Sequence, residues 1–324
     1  MDTRQLGTTD LRITPIGFGA WAIGGPDYAF GWGPQDDADS VAAIHRAIDA
    51  GINWIDTAAV YGLGRSERVV ARALKELGSS RRPYVFTKCS LVWDAQGAIS
   101  HSLKAASVRK ELEDSLRRLE SDAIDLYQIH WSKPWGLEEP APDIEEGWST
   151  LAALQKEGKV RHIAVSNFDV AEMERIKLIA PIASLQPPYS MLRRGIEADM
   201  LPYCLANRIG VIVYSPMAAG ILSGAMTRER AMSLPANDWR TKNPEYQEPL
   251  LSRNLELVEK LRKISARYNT SPGAVAIAWT LRQPAVTGAI VGFRSAEQVD
   301  GLLAAATLRL TAEEVAQIDG LTAP

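Results

Sequence analysis

Four side chains in the first half of the chain have types and positions that could handle an oxygen and a proton together: Asp56, Tyr61, Lys88 and His130. Each closes or shortly follows a short apolar stretch, in NWID, AAVYG, VFTK and LYQIH. A lysine at the end of an apolar run is costly to bury unless it is paired, because loss of water penalises its charged form. Asp56 is the natural partner. A tyrosine beside that ammonium would have its phenolate stabilised, so its pKa is expected to fall from about 10 towards the working pH, as a general acid requires. An imidazole such as His130 can hydrogen-bond a substrate oxygen and polarise a carbonyl. Together the four would stabilise an oxyanion and supply it with a proton. Singly they say less, since an Asp-Lys pair is commonly structural and a lone histidine at a strand end is commonly packing.

The elements that must position them follow a regular order. A short pair of runs, Arg4 to Leu6 and Leu11 to Thr14, is split by the turn-like Gly7-Thr8-Thr9-Asp10 and reads as a β-hairpin. Eight short apolar runs follow: Ile16 to Gly19, Asn53 to Asp56, Tyr84 to Lys88, Asp125 to His130, His162 to Ser166, Ser184 to Gln186, Val211 to Ser215 and Ala289 to Gly292. Between them apolar residues recur at helical spacing, as in Val41, Ile44 and Ile48, or Val108, Leu112, Leu116 and Leu119. Strict alternation of strand and helix implies parallel strands with right-handed crossovers, and eight such units close most naturally into an α/β barrel of the (β/α)8, or TIM, type. The joint placement of the four residues after the second, third and fourth strands then favours chemistry over stability, because the carboxyl ends of barrel strands form the catalytic face.

Two stretches interrupt the alternation. Gly220 to Pro249, rich in Pro, Asn and Gly, reads as a long loop after the seventh strand and a candidate lid; a final helix begins near Thr311. No GxGxxG follows an early strand, so a Rossmann dinucleotide site is not expected and any nucleotide should bind on the barrel mouth.

Composition excludes several function classes. With 324 residues and 46% hydrophobic content the chain can bury one large core, so residues 1–324 are expected to form one domain. Lys plus Arg at 36 against Asp plus Glu at 39 gives a net charge of -3, too little field to gather nucleic acid or anionic lipid. The start lacks the order of a signal peptide and no apolar run reaches the length of a membrane span, so a cytoplasmic location is expected. Cys89 and Cys204 are far apart, and His45, His101, His130 and His162 show no metal-ligand spacing, so neither a disulfide framework nor a metal site is expected.

The segment GINWIDTAAVYGLGRSERVVARAL resembles the GINxxDTAxxYGxGxSExxxGxAL signature of the aldo-keto reductase superfamily. IDLYQIHW, GKVRHIAVSNF, LQPPYS and VYSPMAAGILSG match its later blocks, so the likeness runs from Leu6 to about Leu303. GAWAIGG, IHW, QPPYS and WRTKNPEYQ are similar to bacterial members related to general-stress and inositol-operon proteins. The resemblance implies NADPH-dependent reduction of a small carbonyl compound, with Asp56, Tyr61, Lys88 and His130 as catalytic tetrad and Tyr61 as acid. It implies cofactor contacts from Ala20, Trp21 and Asp56, a carboxamide held by Ser166, Asn167 and Gln186, and a nicotinamide stacked on Tyr214. Ser166 and Asn167 also suit an N-cap of the next helix. Ser215, Pro216, Met217, Ala218 and Ala219 would wrap the pyrophosphate, whose charge suits backbone amides. Gly292, Phe293, Arg294, Ser295, Ala296 and Gln298 would meet the adenosine end, with Arg294 at a helix start reading the 2'-phosphate. Arg240 would be a further nucleotide contact; a solvated surface arginine fits the same sequence.

The chain also departs from the family. Gly301 and Leu302 stand where many members read adenine with an acid-asparagine pair, and Ala225 replaces a lysine common after the LSG turn. The substrate pocket is expected to be walled by Trp21, Tyr28, Phe30, Trp32, Trp93 and Trp131, which suits apolar or sugar-faced carbonyls, although such residues also pack loops. Two rival readings use the same tetrad: an NAD(P)-linked alcohol or aldose dehydrogenase, and a nucleotide-sensing binding protein like the potassium-channel β subunits.

Overall fold

A computed structural model describes residues 1–134 and 143–322. Two antiparallel strands, β1 (Arg4–Gln5) and β2 (Arg12–Ile13), form the expected hairpin. Eight parallel strands then close a barrel in the order β3 (Ile16–Gly19), β4 (Trp54–Asp56), β5 (Tyr84–Cys89), β8 (Ile124–Ile129), β9 (Val160–Ser166), β10 (Ser184–Gln186), β11 (Gly210–Val213) and β12 (Val286–Gly292), which pairs back onto β3. Nearly every residue of these strands is buried, as a parallel sheet covered on both faces requires. The (β/α)8 architecture read from the alternation is the architecture found. Strand limits moved by a few residues: β9 starts at Val160 and β12 at Val286, while β11 ends at Val213, two residues short of the Ser215 expected.

The helices lie outside. They are α1 (Asp37–Asp49), α2 (Arg65–Leu77), α3 (Ala105–Leu119), α4 (Ile144–Lys156), α5 (Val170–Ile176), α6 (Met200–Ala206), α7 (Arg228–Met232), α8 (Leu250–Arg267), α9 (Pro272–Leu281), α10 (Ala296–Asp300) and α11 (Ala312–Thr322). Local chemistry starts several of them: Asp36 caps α1 through Ala38 N at 2.6 Å, and Ser271 caps α9 ahead of Pro272, whose missing N–H costs nothing in a first turn. Most of the longer ones turn an apolar stripe inward, such as Val108, Leu112 and Leu119 of α3.

Within the barrel a second apolar cluster joins Trp54, Phe86, Leu126 and Ile212 to Leu6, Leu11 and Ile13 of the hairpin, which therefore stoppers the amino end. The seal is tight at Gly7, where a Cβ would stand 2.5 Å from the Ala183 carbonyl oxygen.

The loop expectations need two corrections. A second hairpin, β6 (Leu91–Trp93) with β7 (Ile99–His101), follows β5 and was not anticipated. The stretch Gly220 to Pro249 is not structureless: it contains α7 and the short 3-10 turns Trp239–Lys242 and Pro244–Tyr246. No helix among the described residues is long and apolar enough to cross a membrane.

Candidate active site

The carboxyl end of β4 carries Asp56, whose backbone oxygen accepts from Ala20 N at 2.9 Å. Five residues on, Tyr61 sits in a tight turn that Gly62 makes possible: its φ is 60°, and a Cβ there would run into the Gly24 carbonyl. Lys88 lies one residue from the end of β5 and His130 immediately after β8. The four residues picked out by spacing converge.

Lys88 Nζ donates to Asp56 Oδ1 at 2.5 Å, to the Thr57 carbonyl at 2.8 Å and towards the Tyr61 hydroxyl at 3.5 Å, which uses all three of its N–H groups. The ring of His130 meets that of Tyr61 edge-on, with centroids 5.7 Å apart. Lys88, Asp56 and His130 are buried; Tyr61 is partly so. Burial pushes the lysine below its ordinary range, opposed by Asp56, and pushes His130 well below 6.5, so the imidazole is neutral at neutral pH. The expectation for Tyr61 is overturned. Its pKa rises well above 10, first through burial and then through Asp56, Tyr28 and Tyr214. The lysine does not win because Asp56 neutralises it at contact distance, leaving desolvation of the phenolate to dominate. Tyr61 is thus a phenol that holds its proton.

Asp56 has two further partners. Gln128 and Gln186 both donate through Nε2 to its Oδ2, at 3.0 and 2.8 Å, and Gln186 also donates to Gln128 Oε1 at 3.0 Å. Gln128 was not singled out in the sequence. Its position inside an apolar strand buried on both sides gave no cue to which way it faces.

Ser166 donates to the backbone oxygen of Gln186 at 2.8 Å, and Asn167 Nδ2 donates to the His130 carbonyl and to Ser166 Oγ, each at 3.0 Å. The Tyr214 hydroxyl donates to Asn167 Oδ1 at 2.9 Å. Ser166, Asn167, Gln186 and Tyr214 therefore form one patch beside the tetrad. The N-cap alternative for Ser166 and Asn167 does not hold, because Asp169 caps α5 in a reciprocal capping box with Glu172.

After β11 the backbone turns sharply. Ser215, Ala218 and Ala219 have φ of 54°, 48° and 54°, followed by Gly220 at 101°. Such a run of non-glycine residues in the left-handed region is uncommon, and strain of this kind clusters at functional loops.

The long loop reaches across the mouth to the loop after β3. Trp239 N donates to the Gly31 carbonyl at 3.0 Å, and Asp238 bridges to Trp32. Trp239 stacks on Trp21 at 5.1 Å, and Trp21 in turn lies 6.3 Å from the Tyr61 ring. Trp32 packs edge-on against both indoles. Of the expected wall residues, Trp21 and Trp32 are thus at the site, and Trp239 joins them unannounced. Tyr28 and Phe30 pack on each other at 6.4 Å, and Trp93 packs over the Arg118 guanidinium at 5.7 Å. Trp131 is partly buried, and its carbonyl accepts from His101 at 2.9 Å.

The arginines behave differently from one another. Arg240 is not a solvated surface side chain: it is 8% exposed, paired through two nitrogens with Asp238 and sandwiched between the rings of Trp32 at 4.7 Å and Tyr246 at 5.8 Å. Arg294 follows β12 and donates to Gln35 Oε1 at 2.7 Å, to the Trp32 carbonyl at 3.3 Å and to the Pro34 carbonyl. Arg230 and Arg240 act on Arg294 as like charges and lower its pKa beyond the effect of burial. Gln298 Oε1 is taken by Arg294 N at 2.8 Å, and the Phe293 side chain is buried against Phe18. Gly292 is exposed, with Ser295 and Ala296 leading into α10.

Comparison with known proteins agrees with this fold. The profile of the aldo/keto reductase family matches residues 15–323. The aldo-keto reductase YhdN of Bacillus subtilis is 36% identical over 303 residues, covering 93% of this chain and 88% of that protein. An NADH-specific methylglyoxal reductase of Escherichia coli is 34% identical over 316 residues, covering 94% of each. Among solved structures, a glycerol dehydrogenase from Gluconobacter oxydans superposes with a TM-score of 0.87 at 36% identity, covering 99% of this chain and 95% of that one. An aldo-keto reductase from Bacillus halodurans in its holo form gives 0.79 at 27% identity, covering 99% and 96%. The chain belongs to the aldo/keto reductase family, oxidoreductases that work with a nicotinamide cofactor.

Proposed function

We propose that the protein reduces an aldehyde or ketone to its alcohol with NADPH, Tyr61 supplying the proton. The observation that carries this reading is the placement of Lys88 Nζ between the Asp56 carboxylate and the Tyr61 hydroxyl, with the neutral His130 ring against the phenol. When bound, the dihydronicotinamide supplies a hydride to the carbonyl carbon. His130 orients and polarises the carbonyl oxygen, and Tyr61 gives that oxygen its proton as negative charge develops there. The third N–H of Lys88, turned towards the hydroxyl, then has the phenolate oxygen left behind as its acceptor.

The residues present fit such a cofactor. Gln186 Oε1 is an acceptor suited to a carboxamide N–H, the Tyr214 hydroxyl is bonded to Asn167, and a left-handed turn such as the one after β11 is a backbone conformation from which anion-binding nests are made. Arg294 retains two N–H groups beyond its three loop contacts, which favours a 2'-phosphate. The clasp of Trp239 and Asp238 on Gly31 and Trp32 serves as a lid. Its indoles suit a small carbonyl compound, with 2-oxoaldehydes a first class to try in view of the E. coli relative's name.

The likeness to a glycerol dehydrogenase favours a second reading, oxidation of a polyol by the same groups with Tyr61 as base. The experiment that decides is consumption of NADPH, followed by its absorbance, over a panel of aldehydes, 2-oxoaldehydes, sugars and ketones, with polyols and NADP+ in a parallel series. A panel that leaves NADPH untouched refutes carbonyl reduction, and turnover confined to the polyol arm establishes the second reading instead.

A further inference from the structure

Gln128 is directly opposite Lys88 in the parallel pairing of β5 with β8, and it is wholly buried. Its amide is used from both ends: Nε2 donates to Asp56 Oδ2 at 3.0 Å, and Oε1 accepts from Gln186 Nε2 at 3.0 Å. Gln186 Nε2 spends its other N–H on Asp56 Oδ2 at 2.8 Å. Asp56 Oδ2, Gln128 and Gln186 thus close a ring of three hydrogen bonds. An amide nitrogen has two hydrogens, so both donors of Gln186 are consumed within the ring and only its oxygen remains for a ligand. Without Gln128, one N–H of Gln186 would be left unpaired in a buried site and would turn to whatever acceptor arrives. The same ring saturates Asp56 Oδ2 with donors and leaves Oδ1 for Lys88.

We propose that Gln128 is a positioning residue that fixes the amide of Gln186 with its oxygen towards the cofactor, so that the site selects a ring substituent able to donate an N–H. The inference rests on the nicotinamide reading above. Gln128 touches neither cofactor nor substrate; it acts through Gln186 and Asp56. It also ties recognition of the carboxamide to the carboxylate that holds Lys88, because one oxygen of Asp56 receives both amides.

The test is a binding measurement on the full chain, by quenching of its tryptophan fluorescence, with NADPH and with its reduced 3-acetylpyridine analogue, which keeps the carbonyl but has no N–H to offer. The native protein is expected to prefer NADPH by about tenfold, the scale of one buried neutral hydrogen bond. Gln128→Leu should raise the Kd for NADPH by about tenfold and leave that for the analogue within about twofold, so that the preference vanishes. Equal weakening of both ligands, or of neither, overturns the proposal, because general damage to the pocket does not read the missing N–H. Gln128→Met, unbranched and of similar length, gives the same comparison should the leucine variant not fold. Absence of any quenching by NADPH with native protein would instead defeat the nicotinamide reading itself.

Discussion

The Tyr61 hydroxyl stands 3.5 Å from Lys88 Nζ, the longest of the three contacts the ammonium makes. The short ones belong to Asp56 and the Thr57 carbonyl, so the lysine is anchored by others and leans on the phenol only loosely. Tyr61→Phe removes the hydroxyl and keeps the ring that packs beside Trp21 and His130. Steady-state reduction should fall by about a hundredfold or more, the usual worth of a positioned acid, while the Kd for NADPH stays within about twofold. Undiminished turnover would remove Tyr61 from its role.

The depressed pKa of His130 has its own signature. The ring, buried first of all and then repelled by Lys88, stays neutral in the fold, whereas the unfolded chain takes up a proton below about 6.5. The unfolded state then binds more protons, so stability drains away as pH falls from about 6.5. His130→Gln should flatten that part of a Tm-against-pH curve. The His130 ring resonances, followed by NMR from about pH 8 to about pH 6, should not titrate near the ordinary histidine value.

The proposed preference for NADPH rests on Arg294. Replacement by alanine should raise the Kd for NADPH by about ten- to a hundredfold through a lost charge-assisted contact, and that for NADH much less. Because the same guanidinium holds the Trp32 and Pro34 carbonyls, some loss common to both cofactors is expected from loosening that loop. Arg294→Lys should restore part of the NADPH affinity. Tighter binding of NADH than of NADPH by the native protein would align the chain with its NADH-specific relative, and equal titration curves would remove the case for a 2'-phosphate contact.

A prediction away from the mouth concerns Glu111 of α3, which is buried and accepts from Ser90 N at 3.0 Å and from Ser107 at 3.3 Å. Burial pushes its carboxyl up to about 8. The folded state therefore holds a proton that the unfolded chain gives up near 4.5, and the stability it contributes is lost as pH rises from 4.5 through about 8. Glu111→Gln keeps an acceptor for Ser90 and has no charge to bury. By scanning fluorimetry it should gain about 3 °C in Tm over the native chain at pH 9 and nothing comparable at pH 5. A gain equal at both values would show that packing, not ionisation, is responsible.

The barrel was legible because its strands are apolar on both faces and evenly interleaved with amphipathic helices, a pattern that needs no long-range information. The tetrad was legible for a related reason: Asp56, Lys88 and His130 interrupt apolar runs at their ends, where the cost of burial announces itself. Gln128 sits mid-strand, and its inward direction depends on how β8 registers against β5, which the run of apolar neighbours conceals. The β6–β7 hairpin was missed since Leu91–Trp93 and Ile99–His101 are short and only partly buried. The sign of the Tyr61 shift turned on two quantities absent from spacing alone, the depth of the ring and the contact distance at which Asp56 cancels Lys88. The two readings of Arg240, a nucleotide contact or a solvated surface arginine, could not be separated from sequence because its partner, Asp238, lies only two residues away and a bidentate pair at that separation depends on a loop conformation.

The stopper at Leu6, Leu11 and Ile13 gives the barrel the character of a cul-de-sac. Whatever reaches Lys88 must arrive and depart through one doorway, over which the two tryptophan-bearing loops already meet. A dinucleotide threaded beneath that clasp would be first in and last out, and because each one carries a single hydride it would have to be exchanged at every cycle, so the tempo of turnover would be governed by how readily Trp239 lets go of Gly31.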